Sequence, residues 1–367
     1  MKKILNNILS ITALSSAIIL PSIANACTSF ALKSPDGSYV YARTAEFGRP
    51  LDETVIFIPR NHQFKGAGPD GVAGSGLNWS SKYAILGVNI FHKEVVLDGM
   101  NEKGLSGGIL NLPNSAVYQN PTGADAKNSI AGYQMLMWAL SNFATVEEVK
   151  TALPKIFVNG SALQGWNGTP KVHLTLHDMS GKSIVVEYLE GKLVITDNPI
   201  GVMTNDPPMS WQLTNIGNYI NLTTVEKLPI TVNGVKFSPP SSGSGLHGLP
   251  GDFLSSSRFV RAFVYVVGAE KYASNQPQVK LAWHLINMFD IPPGTVEIPA
   301  GDPYAGGVSG WEYTQDSMVA DPKNQTYYIR NFSSVNIKKV SFKDFNLNSK
   351  DVKMISLSDS NNYETIR

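Results

Sequence analysis

The sequence predicts an α+β fold, with helices packed on a mostly antiparallel sheet system. Strand-like stretches cluster toward both ends of the chain, and the clearest helical periodicity lies between them. The early strands are joined by short Gly- and Pro-containing turns, which link antiparallel neighbours. No internal repeat and no linker-like stretch interrupts this order, so the 367 residues read as one large domain after an N-terminal leader.

Taken in order, Cys27–Lys33 reads as strand. Ser34-Pro35-Asp36-Gly37 turns the chain, and Ser38–Thr44 returns as strand. With Asp36 and Gly37 as the turn centre, Cys27 faces Glu46 and Phe30 faces Arg43. Arg43 and Glu46, three apart, then both reach Cys27 only if the strand ends or bulges around Thr44–Ala45. Thr54–Pro59, Lys82–Val88 and Gly107–Asn111 follow as strands, then a helix over Asn128–Phe143. Thr145 with Glu148 forms a capping box that opens a helix to about Ala152. Val172–His177, Ser183–Leu189 and Lys192–Asp197 read as a meander. Trp211–Pro250 is low in helical periodicity and ends in a Gly/Ser/Pro-rich loop. Helices are expected over Ser256–Val267 and Gln276–Phe289, and strands over Ser317–Ala320, Thr326–Phe332 and Val340–Phe345.

The leader has three parts: Lys2 and Lys3, an apolar run from about Ile8 to Ile23, and the small-x-small site Ala24-Asn25-Ala26. The run is broken by Ser10, Thr12, Ser15, Ser16 and Pro21 and reads as a removed secretory signal. The mature chain is then residues 27–367, periplasmic or secreted, without a stable membrane span. It carries 28 basic and 29 acidic residues once Lys2 and Lys3 are gone, a balance that points away from nucleic acid.

Cys27 is the only cysteine. It cannot form an intramolecular disulfide, and after cleavage it would carry both a thiol and a free α-amine. A thiol ionises near ~8.5 and a terminal amine near ~7.8, so the amine can act as the base that activates the thiol on the same residue. A second use of such a position is lipidation, as in a non-catalytic surface lipoprotein; Ala24 and Asn25 depart from the sequence preferred there.

Other motifs carry less. Gly104-Leu105-Ser106-Gly107-Gly108 matches G-x-S-x-G, but Asn111-Leu112-Pro113-Asn114 follows where a helix is required. Gly243-x-Gly245-x-x-Gly248 lies between Ser/Pro-rich and Leu-Pro-Gly segments and reads as a loop. His173 and His177 share a strand face, without further ligands placed to complete a metal set. Trp138 with Met135 and Met137 reads as core. No metal and no cofactor is expected.

Four blocks in order, "CTSFAL…DG…YARTAEF", "DGMNEKGLSGGILN", "GVMTNDP" and "GLPGDFLSSSRFVR", resemble the choloylglycine hydrolase family of N-terminal nucleophile hydrolases, which includes conjugated bile salt hydrolases and penicillin V acylases. The resemblance implies a four-layer αββα sandwich with two mostly antiparallel sheets, and hydrolysis of a non-peptide C–N amide bond. By position it implies Cys27 as nucleophile, with Arg43, Glu46, Asn111, Asn205 and Arg258 around it; Glu46 stands where the family's better-known members have aspartate. Arg43 and Arg258 favour a thiolate, Asn111 and Asn205 offer donors to an oxyanion, and a carboxylate orients the α-amine. The substrate expected is a small-molecule amide with a large apolar acyl group, bound near Ala45–Phe47 and Asn89–His92. Conjugated bile salts come first, with penicillin V or N-acyl homoserine lactones as alternatives. Trp211–Pro250 resembles the family's assembly extension and implies a homotetramer.

Overall fold

The computed structural model describes residues 26–166, 168–272, 275–300 and 310–357, with 363, 365 and 366; the leader expected over residues 1–25 lies outside them. Two sheets stack face to face. The first is six-stranded, in the order Val202–Met203, β1 (Thr28–Lys33), β2 (Tyr39–Phe47), Tyr313–Asp321, Thr326–Asn331 and Ser334–Ser341. The second has eight strands: Lys192–Asp197, Ser183–Leu189, Val172–His177, Ser106–Asn111, Val96–Asn101, Ile85–Asn89, β3 (Thr54–Ile58) and Lys353–Ser356. Every pairing within both sheets is antiparallel. Helices Ser255–Gly268 and Asn275–Ile286 pack outside the first sheet, and Met135–Asn142 outside the second, which makes the four expected layers. Among the described residues no helix is long and apolar enough to cross a membrane.

β2 is buried on both faces, as a central strand of such a sandwich must be. Its odd-numbered residues Tyr39, Tyr41, Ala45 and Phe47 join the core between the sheets. Val40 and Ala42 join the core beneath the helices. Arg43 therefore projects between the sheets and Glu46 toward the helices.

The β1–β2 register corrects the expectation from the turn. Ser29 pairs with Arg43 and Thr28 with Thr44, one residue away from the predicted register. Ser34 N–H donates to Ser38 O and Gly37 N–H to Ser34 O (2.8 and 3.0 Å), so the loop has three residues, with Gly37 at φ +83°. Pro-Asp-Gly suits either loop length, and one residue of slip exchanges the two faces. The expected bulge also moves. β2 continues unbroken to Phe47, and the irregularity lies in its neighbour, between Thr314 and Asp316, opposite Glu46 and Ala45.

Three other elements differ. The helix expected from Asn128 starts only at Met135, because Ser129–Ala131 pairs with Phe157–Asn159 and Gln134 accepts from the Ala131 and Ala67 N–H groups. The last long strand is Ser334–Ser341, ended where Ser341 caps a 3-10 turn, so Phe342–Phe345 is not strand. The 211–250 segment holds the end of a helix, Met209–Ile216, and a hairpin, Ile230–Val232 with Val235–Phe237, turned by Asn233-Gly234. The Thr145–Glu148 capping box is present.

His177 sits between the sheets, 2% exposed, its ring 5.0 Å from that of Tyr41. Burial holds it neutral, with its pKa lowered from 6.5 to about 3. The unfolded chain takes up a proton below pH 6.5 that the folded chain refuses, so this site loses stability as pH falls from about 6.5 toward 3. Replacement by Gln is expected to flatten that fall, read as urea midpoints between pH 7 and pH 4; an unchanged slope would assign the acid sensitivity elsewhere.

Candidate active site

All six residues expected at the site are buried and converge on the start of β1. Exposures are 4% for Cys27, 6% for Asn111 and 1% for Arg43, Glu46, Asn205 and Arg258. Arg43, diagonal to Cys27 on the same face, brings its Nη2 to 3.7 Å from Sγ. Burial pushes the Cys27 thiol up, and the Arg43 charge and the Glu46 N–H pull it down. On the other side of the strand the Cys27 backbone N–H donates to Asn205 Oδ1 at 2.7 Å. Arg258, in the first turn of the Ser255–Gly268 helix, donates to the same oxygen at 2.9 Å, to Thr28 Oγ1 at 2.8 Å, and to the Cys27 carbonyl.

Asn205 is over-determined. Its N–H donates to Ser255 Oγ (2.9 Å) and one Nδ2 proton goes to Asn111 O (2.9 Å). That leaves the second Nδ2 proton as the side-chain donor it could offer a ligand. Leu112 N–H is spent on Lys171 O, so the alternation of a β-ladder turns the N–H and C=O of Asn111 away from that neighbour and toward Asn205.

Glu46 Oε2 accepts from Thr44 Oγ1 (3.1 Å) and Oε1 from Thr314 Oγ1 (2.7 Å). Burial pushes its carboxyl up to about 8, against the nearby Arg258 charge. The bulge in the neighbouring strand follows Thr314, which lies opposite Glu46.

An apolar pocket opens beside Cys27, Arg43 and Asn111. Its walls include Phe47, Leu51, Ile90, Leu97, Tyr133 and Trp166. Ala45–Phe47 line it as expected. Of Asn89–His92 only Ile90 does: Asn89 Oδ1 instead accepts from Thr54 N–H and Oγ1, and Phe91 packs on Trp166.

The family model for "Linear amide C-N hydrolases, choloylglycine hydrolase family" matches residues 27–355. The chain belongs to this family. It is similar to a bile salt hydrolase/transferase of Clostridium perfringens, 35% identical over 237 residues (64% of this chain, 70% of that one). It is also similar to a penicillin V acylase of Pectobacterium atrosepticum, 26% identical over 347 residues (89% and 83%). Among solved structures, a mutant of the C. perfringens conjugated bile acid hydrolase matches with TM-score 0.80 and 27% identity over 93% of this chain and all of that one. The penicillin V acylase of Agrobacterium tumefaciens matches at 0.70 and 25% over 90% and 92%. The fold is that of the N-terminal nucleophile hydrolases, and the protein is an amidohydrolase acting on linear amide C–N bonds.

Several contributors are not visible as site residues in the sequence. Asp98 lies 3.7 Å from Arg43 Nη1, which also donates to Leu97 O at 2.7 Å. Tyr41 and Tyr327 donate to the two Asp98 oxygens; burial pushes that carboxyl up to about 6 against the Arg43 charge. His173 donates Nε2–H to Thr204 O (2.8 Å) and faces Glu187 with Nδ1 (3.1 Å), bracing the turn before Asn205. Glu312 is buried and accepts from the Ala26 N–H. Ser106 lies in a strand, its hydroxyl 2.7 Å from that of Tyr39, and does not line the pocket.

Gly108 explains part of the glycine run. A Cβ there would lie 2.5 Å from Asp98 Oδ2, 2.8 Å from Tyr41 Oη and 2.9 Å from Arg43 Nη1. Gly108→Ala is expected to displace Arg43 and cost about 1–3 kcal/mol in stability. Gly217→Ala, where a Cβ meets nothing within 4 Å, is expected to be nearly silent. Equal unfolding midpoints for the two variants would show that Arg43 is not sterically held.

Proposed function

We propose that the protein is an exported cysteine amidase whose first 26 residues are removed, leaving Cys27 at the head of a single catalytic unit, residues 27–367. The observation that carries this reading is the pair of contacts at Cys27: its nitrogen on Asn205 Oδ1 at 2.7 Å, its sulfur beside Arg43 at 3.7 Å. Once freed, the neutral α-amine takes the thiol proton, and the thiolate attacks the amide carbon. The second Nδ2 proton of Asn205 and the amide groups of Asn111 hold the oxyanion; each such donor is typically worth ~3 kcal/mol of barrier. Collapse of the intermediate breaks the C–N bond, and the leaving amine receives the proton from the α-ammonium. Water, deprotonated by the same amine, then attacks the thioester and releases the acid and the thiol. Arg43 offsets burial of the thiolate charge, and Arg258 with Glu46 orients the amine.

The acyl group enters the apolar pocket. Conjugated bile salts are the first substrates, supported by the bile salt hydrolase relatives and the apolar walls. Penicillin V is the second reading, favoured by the acylase relatives, with N-acyl homoserine lactones beside it. A non-catalytic lipoprotein is the rival at the N-terminus: acylation would remove the base, and a diacylglyceryl mass on the mature protein would establish it.

The exposed hairpin supports assembly as a homotetramer. Ile230 faces Phe237 and Val232 faces Val235, all four at least half exposed. A two-stranded hairpin with bare apolar pairs is marginal alone and gains stability by packing on a second copy. Ile230→Lys with Phe237→Lys is expected to lower the mass in solution below that of a tetramer; an unchanged mass would place the interface elsewhere.

Turnover of glycine- and taurine-conjugated bile acids beside penicillin V, by protein whose N-terminus has been verified, decides the substrate. Cys27→Ala is expected to abolish turnover and Cys27→Ser to retain little. Ser106→Ala, which loses one hydroxyl contact worth about 1 kcal/mol, is expected to keep most of it. A dead Ser106 variant beside an active Cys27 variant would overturn the assignment.

A further inference from the structure

We propose that Glu312 is a positioning residue for the α-amine: in the processed enzyme its carboxylate holds the Cys27 ammonium and sets the pH at which that group becomes a base. This rests on the N-terminal nucleophile reading above. Glu312 lies between the short strand Gly310–Trp311 and the bulged strand Tyr313–Asp321. It is 1% exposed, and its own N–H is tied to Val296 O at 3.0 Å. Its Oε1 accepts from the N–H of Ala26, the residue immediately before Cys27. Consecutive Cα atoms are ~3.8 Å apart, so this carboxylate stands one peptide unit from the future terminus.

Cleavage before Cys27 removes the Ala26 N–H and creates an ammonium with three protons in its place. Asn205 Oδ1 takes one of them. Glu46 already gives one acceptor site on each oxygen to a threonine hydroxyl. Its carboxyl is also pushed up by burial, and the Glu312 charge adds to that push. Glu46 thus holds its proton more readily than an ordinary carboxyl.

The charged groups around the α-amine come from three elements. Arg43 and Glu46 lie on β2, Arg258 on the Ser255–Gly268 helix, and Glu312 just before the bulged strand; Asn205 is neutral. Two guanidinium groups favour the neutral amine, and the Glu312 carboxylate opposes them. Removing that carboxylate lowers the pKa of the amine and weakens it as a base.

The test uses protein produced with its first residue at Cys27, confirmed by intact mass, in wild-type, Glu312→Gln, Glu312→Asp, Glu46→Gln and Cys27→Ala forms. The probe is whichever of a glycine-conjugated bile acid or penicillin V the wild type turns over. For Glu312→Gln the acid limb of kcat/KM is expected to move down by about one pH unit. Its kcat is expected to fall about tenfold with KM unchanged, and Asp should restore part of both. If the Gln form does not fold, the Asp form decides: a displaced limb supports the assignment. A wild-type limb in whichever Glu312 variant folds, with a displaced one in Glu46→Gln, overturns it. An active Cys27→Ala would instead overturn the N-terminal nucleophile reading itself.

Discussion

The site depends on one oxygen atom. Asn205 Oδ1 accepts from the Cys27 nitrogen and from Arg258 at the same time, joining the start of β1 to the first turn of a helix more than fifty residues further on in sequence than Asn205. Hydrogen bonds that involve a charged partner contribute ~1.5–3 kcal/mol each. The asparagine is held from behind by Ser255 and, through Thr204, by the His173–Glu187 pair. Without that bracing, neither the nitrogen of Cys27 nor the guanidinium of Arg258 has a fixed place, and both are buried where an unmade hydrogen bond is costly.

The first sheet divides the chemistry between its two faces. The Cys27 sulfur, Arg43 and the apolar pocket lie between the sheets, while the Cys27 nitrogen, Glu46, Arg258 and Thr28 lie toward the helices. Burial alone disfavours every charge here, which is why each guanidinium is surrounded by fixed oxygens. Arg43 has Leu97 O and Asp98; Arg258 has the Cys27 and Phe253 carbonyls, Thr28 and Asn205. The same dryness matches the apolar walls of the neighbouring pocket.

Much of this was legible in the sequence, unevenly and for physical reasons. Cys27 stands out by its chemistry and position alone. Asn111 and Asn205 look like ordinary turn or strand amides and become visible only through the ordered four-block resemblance. The antiparallel architecture followed from turn chemistry, but the register of the first hairpin did not, because Pro-Asp-Gly supports loops of two or three residues and one residue exchanges the faces. Asp98, Glu187 and Glu312 escaped because each acts on a partner remote in sequence: Asp98 is met by Tyr327, and Glu312 by Ala26. The helix expected from Asn128 shows the other failure, in which Gln134 and a short parallel strand pair override helical periodicity.

The central claim is that the nitrogen of Cys27 must be a free amine. Two forms of the protein test it most directly, one beginning at Cys27 and one retaining Ala26 as its first residue, matched for folding and for thiol content. Amide hydrolysis is expected from the first and none from the second, in which the nitrogen is an amide without a basic lone pair to take the thiol proton. Equal hydrolysis by both would contradict it.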